Sequence, residues 1–168
     1  KQGEPIEEIF VGHFALQIAR LYEAEITAVC SSDHADLLEI LKPDHHIDYR
    51  RRDYLNESLR YDVIFDAAGK ESFLTCRKIL NSGGTYITSL PRPKLLIHKL
   101  ISLFTAGKRV KTLLQRPRSA DLELLAHLVD EGKLQVVIDS VHMLENVADA
   151  HRRAEEYSTG GKIIVQVR

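Results

Sequence analysis

Short β-branched runs alternate with helix-length amphipathic runs along almost the whole chain, and this alternation restricts the fold more than any other feature. The strand-like runs are Ile26–Cys30, Tyr61–Asp66, GGTYITSL from Gly83, Arg109–Leu114, LQVVIDS and KIIVQV. Apolar residues at helical spacing predict helices over Gly12–Tyr22, Ala35–Leu41, Glu71–Leu80, Ser119–Glu131 and Glu145–Tyr157. Short strands buried on both faces and separated by helices require a parallel sheet with helices on each side. We therefore predict a single doubly wound α/β domain.

Composition limits the classes of partner. The 168 residues suffice for one domain with a full core, and 44% of them are hydrophobic and 28% charged. A net charge of −1 gives no electrostatic reason to expect nucleic acid or an anionic membrane, and no apolar run is long enough to span a bilayer. Cys30 and Cys76 are interpreted as reduced core thiols, with a disulfide or metal pair as the alternative. A cytoplasmic location is expected, with the mitochondrial matrix as the alternative.

Two segments carry predictions of their own. Ser119 is predicted to cap the helix that follows it, and Gly132 is predicted to end that helix. Residues 90–106 have two early prolines and then a helical period. They are predicted to form a helix between the strand GGTYITSL and the strand Arg109–Leu114, or part of a dimer or substrate surface.

Small residues recur where the predicted strands end. The turns that follow these strands are predicted at Gly12, Cys30-Ser31-Ser32, Ala67-Ala68-Gly69 and Leu90-Pro91. In an open parallel sheet, ligands bind at the carboxyl ends of the strands, and small residues allow a cofactor to approach the backbone. These turns are therefore the candidate binding site.

Several motifs in register carry a family resemblance: VGHFALQIARLYEAEITAVCSSD, DHHIDYRRRDY, YDVIFDAAG, LNSGGTYITSL and GGKIIVQV. In order and spacing the chain resembles the medium-chain dehydrogenase/reductase superfamily, in its quinone oxidoreductase-like (zinc-type alcohol dehydrogenase-like) branch. The resemblance covers nearly the whole chain but only the cofactor half of such an enzyme. It implies a Rossmann-like sheet of about six parallel strands over residues 1–168. Residues 135–168 would partly return to an N-terminal catalytic domain, with their last strands pairing with each other, with a neighbouring chain or with nothing.

The resemblance also implies cofactor contacts. Gly12 would lie against the pyrophosphate, Ala68 and Gly69 would contact adenosine, and Leu90 would lie near the nicotinamide. Ser31, Ser32, His34 and Tyr49 would surround a 2′-phosphate. In such enzymes an acid at the end of the second strand favours NAD. The corresponding strand here is Ile26–Cys30, and the hydroxyls that follow it favour NADP. Asp33 argues against NADP, although it is interpreted as the cap of the next helix.

The glycine-rich loop is altered. Relatives carry a buried strand leading to three glycines, whereas this chain has KQGEPIEEIFVG, with Pro5, Glu7 and Glu8 in place of the strand. Proline and two carboxylates are unfavourable in a central buried strand. Weak NADP binding and no turnover are therefore expected for this chain alone.

Two functions remain open. The resemblance implies an NADPH-dependent oxidoreductase that reduces quinones or enone-like double bonds of a small-molecule substrate, with catalytic residues in the other domain. The alternative is a non-catalytic, truncated or divergent Rossmann module for partner binding. Relatives dimerise through the cofactor domain, so Arg109–Leu114 is a candidate edge for a homodimer, with a monomer as the alternative.

Other candidates are weaker. Arg50–Arg52 is interpreted as a solvated loop rather than a phosphate clamp. His45 and His46 would point to opposite faces of a strand, so no metal site is predicted there. Lys162 is assigned to a turn, and the absence of a G-x-S-x-G elbow argues against hydrolase chemistry.

Overall fold

A computed structural model describes residues 7–89, 107–113, 116–155 and 161–167 of the chain. Its elements, in chain order, are α1 (Glu7–Arg20), β1 (Thr27–Cys30), α2 (Ala35–Leu41), β2 (His45–Asp48), β3 (Tyr61–Asp66), α3 (Phe73–Cys76), β4 (Leu80–Thr88), β5 (Arg109–Thr112), α4 (Ser119–Asp130), β6 (Ile138–Met143), α5 (Val147–Glu155) and β7 (Lys162–Gln166). The helix predicted within residues 90–106 lies outside the described residues.

The chain divides into two compact units. Lys1–Arg50 and Pro117–Arg168 form the first unit, and Arg51–Arg116 form the second. In the first unit β1 pairs with β2 and β6 pairs with β7, while the second holds a sheet of order β3-β4-β5. Each of these pairs is parallel, and helices alternate with the strands. The predicted α/β class with parallel sheets is confirmed.

Helix α1 begins earlier than predicted. The sequence predicts a turn before Gly12 and a helix from that residue, whereas the helix already begins at Glu7. Gly12 therefore lies inside a helix and not at a turn, so the prediction of a first turn at this position was wrong. The residue types explain the shift, because glutamates are favourable in the first turn of a helix, near the positive end of its dipole.

The predicted helix Glu71–Leu80 is much shorter in the structure. Only Phe73–Cys76 are α-helical, and β4 begins at Leu80 rather than at Gly83. Ser72 and Thr75 close a reciprocal capping box around this single turn. Strand β4 is irregular near its start, where Gly83 has a φ of +76°. The strand signal before the glycines was missed because a glycine pair reads as a turn.

The core of the second unit lies where α3 packs on the sheet. Phe73, Cys76, Leu80 and Tyr86 form one buried cluster. The rings of Phe73 and Tyr86 are tilted by 54°, with centroids 6.4 Å apart. Tilted aromatic pairs at this spacing are favourable beyond their buried area. The cluster fixes α3 against β4, just beyond the end of β3.

Helix α4 differs from the prediction at its start. Arg118 occupies the cap position without a side-chain cap bond, and Ser119 is already helical, so the predicted serine cap was wrong. Arg118 instead binds the carboxylate of Asp121. The predicted stop is present, since Gly132 has a φ of +68° and its N–H donates to Val129.

Strands β6 and β7 form a separate two-stranded sheet. The first was predicted at 135–139 and lies at Ile138–Met143, so its predicted bounds were shifted. Pairing with each other was one of the open alternatives for these strands, and the structure shows it. Gly161 precedes β7 where a Cβ atom would lie 2.6 Å from the backbone oxygen of Val137, so this close approach requires glycine.

A bidentate ion pair joins this sheet to α5. Arg153 donates to both carboxylate oxygens of Asp139, at 2.8 and 2.7 Å. The Asp139 side chain is only 8% exposed, so its charge depends on this partner.

Candidate functional site at the carboxyl ends of the strands

The first candidate site lies at the carboxyl ends of β1 and β2. These parallel strands end side by side, with Cys30 opposite Asp48. Ser31 follows the first strand and Tyr49 follows the second, so both turns open at the same edge of the sheet. This register leaves Ser31, Ser32, His34 and Tyr49 in the two turns at one edge of the sheet, and their contacts with a 2′-phosphate stay predictions.

The residues after β1 differ in their exposure. Ser31 is 1% exposed, and its Oγ has no hydrogen-bond partner among the described residues. Ser32 is exposed and begins a short 3₁₀ turn, Ser32–His34, whose last residue is buried. A buried hydroxyl without a partner carries a desolvation cost that an added hydrogen-bonding group would remove. This edge accordingly offers one buried and one exposed hydroxyl.

An ion pair links the two turns. Arg50 donates from Nη1 to Oδ2 of Asp33 at 2.6 Å, and both side chains are about half exposed. The Arg50 backbone N–H donates to Oδ1 of Asp48 at 2.9 Å, which fixes the start of the second turn. Asp33, and less strongly Tyr49, raises the pKa of Arg50. The interpretation of Arg50 as part of a solvated loop was therefore incomplete.

The thiol of Cys30 lies at the same edge, and its pKa is raised. Burial, and then the charge of Asp48, raises the pKa of Cys30 to about 11. Cys30 and Cys76 are both free thiols. A thiol that stays protonated at neutral pH is a poor nucleophile, which agrees with the interpretation of Cys30 as a reduced structural thiol.

The second candidate site lies after β3, in the other unit. Ala68 is half-buried, and Gly69 is buried with a φ of +60°, a backbone conformation that favours glycine. Asp66, the last residue of β3, is 8% exposed and accepts a hydrogen bond from Tyr86 at 2.6 Å. Sequence reasoning missed Asp66 and Tyr86 as members of this site. The available signal was an acidic residue at the buried end of an apolar strand.

The predicted cofactor contacts of Gly12 and Leu90 lie outside these two candidate sites. Gly12 lies in α1, where a Cβ atom would meet nothing within 4 Å, so packing among the described residues does not require glycine there. Leu90 lies outside the described residues. The contacts of both with a cofactor stay predictions.

Residues 7–89, 107–113, 116–155 and 161–167 bear on metal binding and on membrane insertion. No group of three or more His, Cys, Asp or Glu side chains there is arranged to hold a metal ion. No helix there combines the length and the apolar character that a bilayer span requires.

Comparisons with known proteins agree with this architecture. A family model described as zinc-binding dehydrogenase matches residues 41–165. Over 161 residues the chain is 30% identical to the chloroplast envelope quinone oxidoreductase homolog of Arabidopsis thaliana, covering 93% of the chain and 49% of that protein. Over 180 residues it is 29% identical to a mitochondrial NAD(P)H oxidoreductase of Bos taurus, covering 94% and 45%.

Solved structures show the same fold. The quinone oxidoreductase from Coxiella burnetii superposes with a TM-score of 0.74 at 24% identity, covering 95% of the chain and 50% of that structure. The parallel α/β architecture and these matches define a Rossmann-like domain of the medium-chain dehydrogenase/reductase class. The chain belongs to the zinc-binding dehydrogenase family, in its quinone oxidoreductase-like branch. It spans about half the length of the curated relatives it matches.

Proposed function

We propose that the chain is the cofactor-binding part of an NADPH-dependent oxidoreductase that reduces quinones or enone-like double bonds. Family membership supports the reaction class, and the relatives named quinone oxidoreductase or NAD(P)H oxidoreductase support the substrate class. The observation that carries the choice of cofactor is the carboxyl edge of β1 and β2.

The polarity of that edge supports NADPH over NADH. Hydroxyls of Ser31 and Ser32 follow β1 where NAD-selective proteins carry an acid for the ribose 2′-hydroxyl. Asp33 would repel a 2′-phosphate, but its charge is balanced by Arg50. A phosphate carrying more negative charge than a carboxylate would compete for the same guanidinium. Tyr49 and His34 complete the proposed phosphate side.

The family resemblance supplies the remaining proposed cofactor contacts. Ala68 and Gly69 would contact adenosine, Gly12 would lie near the pyrophosphate, and Leu90 would lie near the nicotinamide. When bound, NADPH supplies the hydride; the residues of this chain bind and orient it. We assign no catalytic proton donor to the chain, since its relatives extend over about twice its length.

One observation favours a second candidate, a non-catalytic Rossmann module for partner binding. Residues 7–10 are helical, so a helix occupies the stretch in which the family resemblance predicts the glycine-rich loop. Such a loop normally directs its backbone N–H groups at the pyrophosphate. We therefore expect weak NADPH binding by this chain and no turnover.

Homodimer formation and cellular location are also proposals. Strand β5 lies at one end of the order β3-β4-β5 in the described sheet, so Arg109–Thr112 has an edge available for a homodimer. Curated relatives of the chain include proteins with chloroplast or mitochondrial names, and a cytoplasmic location stays a prediction.

Calorimetric titration of this chain with NADPH and NADH tests the proposal. We expect weak binding that favours NADPH, and tighter binding once residues 5–10 are rebuilt as an apolar strand followed by a glycine-rich turn. Each restored backbone hydrogen bond should contribute roughly 1 kcal/mol. Tight binding of NADPH by the unaltered chain would contradict the expectation that the altered loop weakens pyrophosphate binding. An unchanged affinity after rebuilding would support the non-catalytic module.

A further inference from the structure

A buried hydrogen-bonded carboxylate lies directly behind the turn assigned to adenosine. Asp66 ends β3, and its Oδ2 accepts the hydroxyl of Tyr86 from the neighbouring strand β4 at 2.6 Å. The backbone N–H groups of Gly69 and Glu71 also donate to the Asp66 carboxylate. One side chain thus binds both ends of the segment 69–71 and connects it to the core of the sheet.

A second set of bonds holds the same segment from the other side. The Tyr86 hydroxyl also lies 3.2 Å from the backbone oxygen of Glu71, and Tyr54 donates to Oε1 of Glu71 at 2.9 Å. Thr75 donates to Oε2 of Glu71 at 2.9 Å. The turn is therefore fixed by side chains from three different parts of the unit.

The Asp66 bonds require one protonation state. An ionised carboxylate accepts several N–H and O–H donors, whereas a protonated one must itself donate through one oxygen. Burial raises the pKa of Asp66, and the bonds from Tyr86, Gly69 and Glu71 lower it. The titratable groups that act on it are Tyr86 from β4, Glu71 from the turn, Cys76 from α3 and Tyr54 from the segment before β3. Because burial is the largest of these effects, protonation begins at a higher pH than for an ordinary aspartate.

We propose that Asp66 and Tyr86 are positioning residues that hold the turn Ala67–Gly69 in its cofactor-binding shape only while Asp66 is ionised. This rests on the proposed function, because it takes that turn as the adenosine contact. The consequence is a cofactor affinity that falls as the buried Asp66 carboxyl takes up its proton.

The experiment follows the Gly69 amide and the binding of NAD⁺ by NMR, with the ¹⁵N-labelled full chain, from pH 8 down to pH 4. NAD⁺ is the probe because it lacks the 2′-phosphate, whose own titration would obscure that of the protein. In the unmodified chain we expect the Gly69 amide to titrate with a midpoint above about 4, the usual value for aspartate. The NAD⁺ affinity should be about twofold lower at the Gly69 midpoint than at pH 8, because half of the chains then carry a protonated Asp66.

Tyr86→Phe and Tyr54→Phe form a matched pair. Each removes one hydroxyl from the same network, but only the Tyr86 hydroxyl bonds to Asp66. Tyr86→Phe should move the Gly69 midpoint to higher pH by about half a unit or more, because the ionised carboxylate loses a donor. The pH at which NAD⁺ binding weakens should move with it. Tyr54→Phe should leave both midpoints in place, because the Tyr54 hydroxyl is uncharged over this pH range and bonds to Glu71 instead of Asp66.

Three outcomes would overturn the inference. One is a Gly69 midpoint that Tyr86→Phe leaves unchanged. Another is an NAD⁺ affinity that Tyr86→Phe lowers by the same factor at every pH, which would indicate general destabilisation. The third is an Asp66→Asn chain whose NAD⁺ binding keeps the original pH dependence. Absence of NAD⁺ binding in every chain would refute the proposed function and the cofactor half of this inference, while the Gly69 midpoints would still decide whether the pair positions the turn.

Discussion

Arg50 and Asp33 form an ion pair at 2.6 Å that bridges the turns after β1 and β2. The pair leaves the carboxyl ends of β1 and β2 without net charge from these two residues. Under the proposed function, Arg50 alone would favour a 2′-phosphate and Asp33 alone would disfavour it. Because both side chains are about half exposed, the pair is weak enough to be exchanged for a ligand phosphate.

Asp33→Asn should increase the preference for the phosphorylated ribose. Removing the competing carboxylate frees Arg50, and an exposed pair of this kind corresponds to about a threefold change in affinity. Titration with adenosine 2′,5′-bisphosphate and with 5′-AMP measures the preference directly. Asp121→Asn is the matched control, because Asp121 has an arginine partner, Arg118, in a similarly exposed pair. Equal changes for both ligands would argue against a role of Asp33 in selectivity.

Gly12→Ala should raise the free energy of unfolding while lowering the affinity for NADPH. A glycine within a helix costs about 0.5–1 kcal/mol relative to alanine, and a Cβ here would meet nothing within 4 Å. The free energy of unfolding in urea should therefore rise by about that amount, while NADPH binding should weaken if the residue faces the pyrophosphate. Ala15→Gly, in the same helix, should lose at least as much stability. A stabilised variant with unchanged NADPH affinity would remove Gly12 from the site.

Lys42→Gly should stabilise the first unit. Lys42 ends α2 in the left-handed conformation, with φ 46° and ψ 59°, which is unfavourable for a side chain with a Cβ atom. Urea unfolding should show a gain of about 0.5–1 kcal/mol. Lys42→Ala should show almost none, since alanine has the same Cβ atom, and a gain for alanine as large as for glycine would point to another cause.

Arg153→Ala should destabilise the chain far more than Arg152→Ala. Loss of Arg153 leaves the buried Asp139 carboxylate without this partner, which typically costs about 3 kcal/mol. Arg152 pairs with Asp149 at an exposed position, so its loss should cost under about 0.5 kcal/mol. Thermal or urea unfolding of both variants gives the comparison. Adding Asp139→Asn to Arg153→Ala should recover part of the loss, and no recovery would mean that packing dominates.

The Cys30 thiol should react slowly below alkaline pH. With its pKa raised to about 11 from an ordinary 9.0, the thiolate fraction at pH 8 falls about 100-fold. Alkylation rates followed by mass spectrometry across pH should show this dependence. The same shift makes the thiol contribution to stability complete below pH 9 and lost as pH rises toward 11. Rapid alkylation of the folded chain at pH 8 would contradict the burial of this group.

Local signals predicted two of the regular elements with their full bounds. Ala35–Leu41 and Tyr61–Asp66 match α2 and β3 to the residue, because helical or β-branched patterns fill each element from end to end. The start of α1 was missed because a family loop was expected where the residue types themselves favour a helix. The start of β4 was missed because Gly83 and Gly84 read as a turn.

The candidate sites were predicted only in part. Ser31 and Tyr49 could be assigned from strand ends alone, since parallel strands bring their carboxyl ends to one edge. The pairing of Arg50 with Asp33 depends on the register of β1 against β2 and on the shape of two turns. The Tyr86–Asp66 bond likewise depends on how β4 lies against β3. Contacts of this kind arise from three-dimensional register, which residue patterns do not encode directly.

Strand pairing in the described sheets is sequential: β1 lies beside β2, β3 beside β4, β4 beside β5, and β6 beside β7. Each pairing closes a short stretch of chain, and the entropy lost on closing a loop grows with its length. Parallel pairing is a slow step when partners are far apart in sequence. Here a growing polypeptide can complete each pair soon after its second strand emerges, whereas the hydrogen bonds between Gln17 and Gln135 in the first unit must wait until the second unit has been made.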